Sequence, residues 1–174
     1  MRKSKFLKHI NQLGEEELRE ELTLLFDKLP EVKTFYKFEL GDTKAKEKYY
    51  TRIKNDIKSK FATRSFKKPR RPRIQKINSM LSQLRKDVVF EFELIDIYLF
   101  TVECGVNFMH EYYFQSEPLY NLILKYFEKA CHLCENNLMQ DQYKQRCNNI
   151  VQKLKFYKAI GEDCLSLYQD TFEN

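Results

Sequence analysis

At 174 residues with 43% apolar side chains, the chain suits one domain that buries a core without help from disulfides or metals. Only four glycines and four prolines interrupt it, which favours long helices over strands and tight turns. The net charge of +6 is unevenly laid out: residues 63–86 hold nine Lys/Arg and no acid, whereas residues 87–174 hold fourteen acids against seven bases.

In chain order, the first helix is expected to start near Ser4, to bury Phe6, Leu7, Ile10 and Leu13, and to stop at Gly14. Glu15, Glu16 and Glu17 then stand where the positive end of a helix dipole favours acids. Leu18, Leu22, Leu25, Phe26 and Leu29 fall on one face of a 3.6-residue period, and Pro30 ends that second helix. Glu31–Leu40 reads as a short aromatic helix closed by Gly41-Asp42. A Lys-rich helix follows from Thr43, with Tyr50, Ile53, Ile57 and Phe61 at helical spacing. Residues 63–72, TRSFKKPRRP, have two prolines, no acid and no apolar period, the pattern of a surface linker.

From about Arg73 a new helix carries Ile74, Ile77, Leu81 and Leu84. The FEFEL stretch at Phe90–Leu94 alternates like a half-buried strand. However, Val88, Phe92, Ile95, Leu99, Val102, Val106, Met109 and Tyr113 are spaced alternately by four and three, which predicts one long central helix. Ser116-Glu117-Pro118 reads as an N-cap followed by proline in the first turn. Three further segments continue the pattern, through Tyr120–Leu138, Tyr143–Tyr157 and Ile160–Phe172, and their short links imply antiparallel neighbours. The expected architecture is all-α: an irregular multi-helix bundle or a short stack of antiparallel helix pairs. It forms one domain over 1–174, in which the basic linker at 63–72 joins a helical part at 1–62 to another at 73–174.

Two stretches, FLKHINQLGEEELREELTLLFDKLPEVKTFYKFEL near the start and GVNFMHEYYFQSEPLYNLILKYFEKA later, resemble an uncharacterised family of bacterial all-helical proteins. PEVK at Pro30–Lys33 and SEPLYN at Ser116–Asn121 are the most distinctive matches, and the likeness continues through KAIGEDCLSLY at Lys158–Tyr168. The resemblance implies a helical fold and brings no activity, cofactor or catalytic residue with it. Residues 63–72 depart most from its pattern.

Familiar chemistries are mostly absent. Cys131-His132-Leu133-Cys134 is a C-x-x-C without the second pair that structural zinc needs, and both cysteines sit on an apolar stripe, where Cys packs as a small hydrophobe. Tetrahedral coordination there would need Cys147 or His110 brought close by folding. His110-Glu111 lacks the second histidine of a zinc-protease helix, since Phe114 occupies that position. No histidine follows an acid by three residues, which removes standard di-iron bundles, and no Gly-rich phosphate loop or Gly-x-Ser-x-Gly elbow occurs. Glu93, Asp96, Glu103, Asn107 and His110 share one side of the central helix. They form either an ordinary solvated face or, less simply, the wall of a cleft for acid–base or metal work. No catalytic residue, metal ligand or cofactor is assigned.

The remaining signal is the basic tract Arg64, Lys67, Lys68, Arg70, Arg71, Arg73 and Lys76, with Phe66 placed to stack on a base. A solvated linker explains it most simply. Docking on the acidic C-terminal half and capture of an external polyanion are the alternatives. The function expected is therefore non-catalytic protein interaction or regulation through a tyrosine-lined groove between helices. Sequence-independent nucleic-acid or polyanion binding through 64–76 is the alternative, and a metal-dependent enzyme the third. Another protein is the expected partner. No secretory signal or run of eighteen uncharged apolar residues is found, and the cysteines, five and so odd in number, read as reduced thiols, so a cytoplasmic setting without a membrane is expected.

Overall fold

A computed structural model describes all residues except 1, 2, 31, 34, 35, 37–39, 41, 42, 64, 89, 90 and 174. The chain is all-α, and no strand occurs among the described residues. Its compact units are residues 1–42 and 43–174, and the basic segment lies inside the second.

In the first unit, α1 (Lys3–Ile10) and α2 (Glu15–Lys28) are joined through Gly14, whose N–H donates to Glu17 Oε2 at 2.8 Å and so starts α2. His9 Nε2 donates to Glu21 Oε1 at 3.2 Å, tying α1 to α2. The period along α2 is helical as expected, but no residue of α2 is buried: Leu22 is 49% exposed, Phe26 41% and Leu29 42%. Phe6 and Leu7 of α1 are also exposed, so the buried face expected of α1 is not formed by those two residues. The short aromatic helix expected over Glu31–Leu40 lies largely outside the described residues.

The second unit is built around one apolar helix. Helix α3 (Thr43–Phe61) is followed by the basic segment and α4 (Ile74–Asp87). A 3-10 turn at Glu91–Glu93 then leads into α5 (Leu94–Tyr112). Three hairpin links follow, giving α6 (Glu117–Asn136), α7 (Gln140–Leu154) and α8 (Lys158–Phe172). Eleven of the nineteen residues of α5 are buried, enough to make it the core element that α3, α6 and α7 surround. Gly105 lets α6 approach closely, because a Cβ there would stand 2.8 Å from Ile123 Cγ1. Helix α5 runs antiparallel to α6, since Tyr98 meets Tyr126 while Gly105 meets Leu119 and Ile123. It runs parallel to α7, since Asp96 and Glu103 reach Arg146 while Asn107 and His110 reach Lys153.

The central helix is shorter than its heptad-like spacing suggests. Val88 caps α4 in an extended conformation, and Phe92, in the 3-10 turn, is 37% exposed. Alternating Phe and Glu cannot place one apolar face against a helical core, so the chain turns there and enters α5 at Leu94. At the far end Tyr113 is the left-handed C-cap, at φ 49°, and is 84% exposed rather than packed. Ser116 is the N-cap of α6 as its sequence predicts, although its hydroxyl makes no capping hydrogen bond.

Candidate anion-binding cleft

The polar side of α5 is engaged in ion pairs. Arg146 of α7 places Nε 2.6 Å from Glu103 Oε1, Nη2 2.9 Å from Glu103 Oε2, and Nη1 2.6 Å from Asp96 Oδ1. Lys54 of α3 reaches the other oxygen of Asp96 at 2.5 Å, while Lys46 and the Tyr50 hydroxyl both hold Glu93. Burial opposes ionisation of Asp96, but the hydrogen bonds from Lys54 and Arg146 outweigh it and hold the carboxyl below its ordinary range. His110 Nε2 donates to the Lys153 carbonyl at 2.8 Å, and Lys153 Nζ donates to Asn107. This face is therefore neither plainly solvated nor a free catalytic wall: it fastens α3 and α7 to α5.

Cys131, Cys134, Cys147 and Cys164 are all buried in the core, with Cys147 close enough to Cys131 for the two thiols to influence each other. Burial pushes Cys134 and Cys164 up to about 12, and the neighbouring Cys131 thiol together with burial raises Cys147 as well. Folding thus brings Cys147 to the C-x-x-C pair, as coordination would require, but places His110 elsewhere against Phe156 and Tyr157. Among the described residues no three His, Cys, Asp or Glu side chains are arranged to hold a metal ion.

The basic segment is ordered by its own polar residues. Thr63 Oγ1 accepts from the Arg70 N–H at 2.9 Å, Ser65 Oγ accepts from the Lys68 N–H at 3.3 Å, and the Arg73 N–H donates to the Lys60 carbonyl at the end of α3. Pro72 is buried while Arg71 and Arg73 on either side are exposed, so the backbone is anchored and the guanidinium groups are turned outward. Phe66 rests against Tyr112, with ring centroids 5.6 Å apart, and stays 66% exposed. Arg64 lies outside the described residues. Lys67, Lys68, Arg70, Arg71, Arg73 and Lys76 form no ion pair with any described residue, and Glu91, Glu93, Asp96 and Glu103 of the acidic half are paired to other cations.

Of the eight residues singled out from sequence, the fold gathers Arg71, Arg73 and Lys76 around a cleft of about 500 Å³ between the start of α4 and the link from α5 to α6. Ile74, Phe114 and Pro118 give it an apolar floor, and Gln75, Gln115 and Ser116 supply polar edges. Phe66, Lys67, Lys68 and Arg70 are outside this lining, on the exposed strap that leads to it. Sequence reasoning missed the contribution of Phe114, Gln115, Ser116 and Pro118, which come from a link some forty residues further on and carry no charge to mark them, although the exposed acid Glu117 stands among them. Residues 1–169 match the model of a family of unknown function. No curated protein and no solved structure matches.

Proposed function

The chain belongs to that family, DUF6155, which hands on no activity, and we propose that it is a non-catalytic binding protein whose second unit holds polyanions at the cleft formed by Arg71, Arg73 and Lys76. One observation carries this reading: three cations converge on a cleft, fixed by an anchored backbone, and none of them forms an ion pair with a described acid, although Glu117 stands beside the cleft. Cations held this way replace the counterions condensed on a phosphate or sulfate polymer, and the release of those ions makes binding favourable and strongly salt-dependent. Guanidinium groups also match the oxygen pairs of such ligands in a bidentate way.

Free thiols at all five cysteines support a cytoplasmic setting. No helix among the described residues is long and apolar enough to cross a membrane. A second reading, protein interaction, is favoured by the exposed stripe of Leu22, Phe26 and Leu29 on α2, since an apolar face of this kind commonly marks a partner surface.

The test is a titration of labelled heparin and of a labelled twelve-nucleotide oligothymidylate at two salt concentrations. Tight binding at low salt that weakens steeply at high salt is expected, with the Arg71→Gln/Arg73→Gln/Lys76→Gln variant losing about 2 from the slope of log affinity against log salt. Absence of binding to either polymer at low salt removes the proposal.

A further inference from the structure

Helices α4 and α6 run parallel: residues 71–76 face 114–118, Asn78 accepts from Tyr126 at 2.8 Å and from Lys125 at 3.4 Å, and Leu81–Lys86 face Tyr126 and Lys129. At the far end of this helix pair two adjoining hollows of about 270 and 370 Å³ share Arg85, Tyr98 and Lys129. Lys129 Nζ lies 6.0 Å from the Tyr98 ring centre and 5.7 Å from that of Tyr126, and Lys125 lies 5.3 Å from the latter. Aromatic faces hold these ammonium groups in place without cancelling their charge. Burial, then repulsion from Lys125 and Arg85, makes the Lys129 proton easier to lose than usual, the behaviour of cations gathered without enough acid. The acids nearby are Glu91, paired to Arg85 at 3.1 Å with both side chains more than half exposed, Glu128 beside Lys129, Asp87, which accepts from Gln83 and stands next to Lys86, and Glu117 at the cleft end.

We propose that the α4/α6 furrow is one continuous binding track for single-stranded nucleic acid, running from Arg71 and Arg73 past Lys125 to Arg85 and Lys129. The inference rests on the polyanion reading above and names its ligand. From Arg73 to Lys86 the track spans about 20 Å at 1.5 Å per residue, a length for several nucleotides of one strand. Its cations follow a line inside a furrow between packed helices, a shape that fits one strand better than a flat lipid surface does. Exposed Phe66 and the Phe114 side chain lie at the cleft end, where unpaired bases have π-faces to stack.

The track is tested with labelled oligothymidylates of four, eight and twelve nucleotides, measured by anisotropy across a salt series. Affinity should rise from four to eight nucleotides and then level off. Arg85→Gln/Lys129→Gln should lower the salt slope by about 1.4, the value for two lost single-strand contacts. Lys86→Gln/Lys125→Gln serves as the independent check if the first variant melts early. Four nucleotides binding as well as eight, or an unchanged slope in a folded variant, overturns the track while leaving the cleft standing. Polyglutamate of matched charge competing as well as the oligonucleotide overturns the ligand class. Failure of heparin and oligonucleotide alike removes both proposals together.

Discussion

Replacing Arg146 by Met tests the packing of the second unit at its most concentrated point. The substitution keeps much of the aliphatic stem and removes a guanidinium that makes three short contacts, two to Glu103 and one to Asp96. Losing one partner of a fully buried pair costs about 3–5 kcal/mol, whereas fully exposed pairs contribute about 0.2–1 kcal/mol. Arg146 is 27% exposed, Glu103 32% and Asp96 41%, and Asp96 keeps Lys54. Solvent screening therefore puts the expected loss between these limits, about 2–3 kcal/mol at pH 7, or about 5–10 °C in Tm. The loss should also depend on acidity. The folded-state carboxyl of Asp96 titrates below its ordinary value of about 3.9, so its stabilisation is complete above that pH and drains away as pH falls through the lower, folded value. The difference between wild type and variant should therefore shrink below about pH 4. Urea unfolding followed by circular dichroism at pH 7 and at pH 3 measures both effects. A loss under about 0.5 kcal/mol at pH 7, or an equal loss at both pH values, would refute the reasoning.

Two further outcomes follow from the core. Gly161→Ala should destabilise by about 1–3 kcal/mol, because a Cβ there would stand 2.5 Å from the Leu154 carbonyl oxygen, a backbone atom with little freedom to retreat; a thermal melt indistinguishable from wild type contradicts this. Cys131, Cys134, Cys147 and Cys164 should react with a thiol-specific dye only as fast as the protein opens, since they are buried and hold their protons well above neutral pH in the case of the last three. Rapid modification of three or more thiols in native protein at pH 8 is the contrary result.

Much of the fold was legible because core contacts here follow helical periods. The Ile74, Ile77, Leu81, Leu84 series and the Leu99, Val102, Val106, Met109 series point inward as their spacing predicts. Val88 and Phe92 share the same period but lie outside the helix, since periodicity alone does not register where the chain turns between two helices of one core. The stripe on α2 shows a related limit: a face can repeat perfectly and still not be buried. At the candidate site, Arg71, Arg73 and Lys76 stood out through charge density, a property of sequence neighbours. Lys125 and Lys129 did not, since they lie about fifty residues away in an acidic half and join Arg85 only when α4 and α6 pack side by side. Conversely, Glu103 and His110 looked free until Arg146 and the Lys153 carbonyl, both from α7, closed on them.

The most direct test is to titrate isotope-labelled protein with an eight-nucleotide oligothymidylate and follow amide shifts residue by residue. Changes concentrated at Arg70–Lys76, Gln115–Ser116 and Lys125–Lys129, and reversed by added salt, are the predicted result. Shifts confined to α2, or none at oligonucleotide excess in low salt, would contradict the assignment of this basic edge as the working surface.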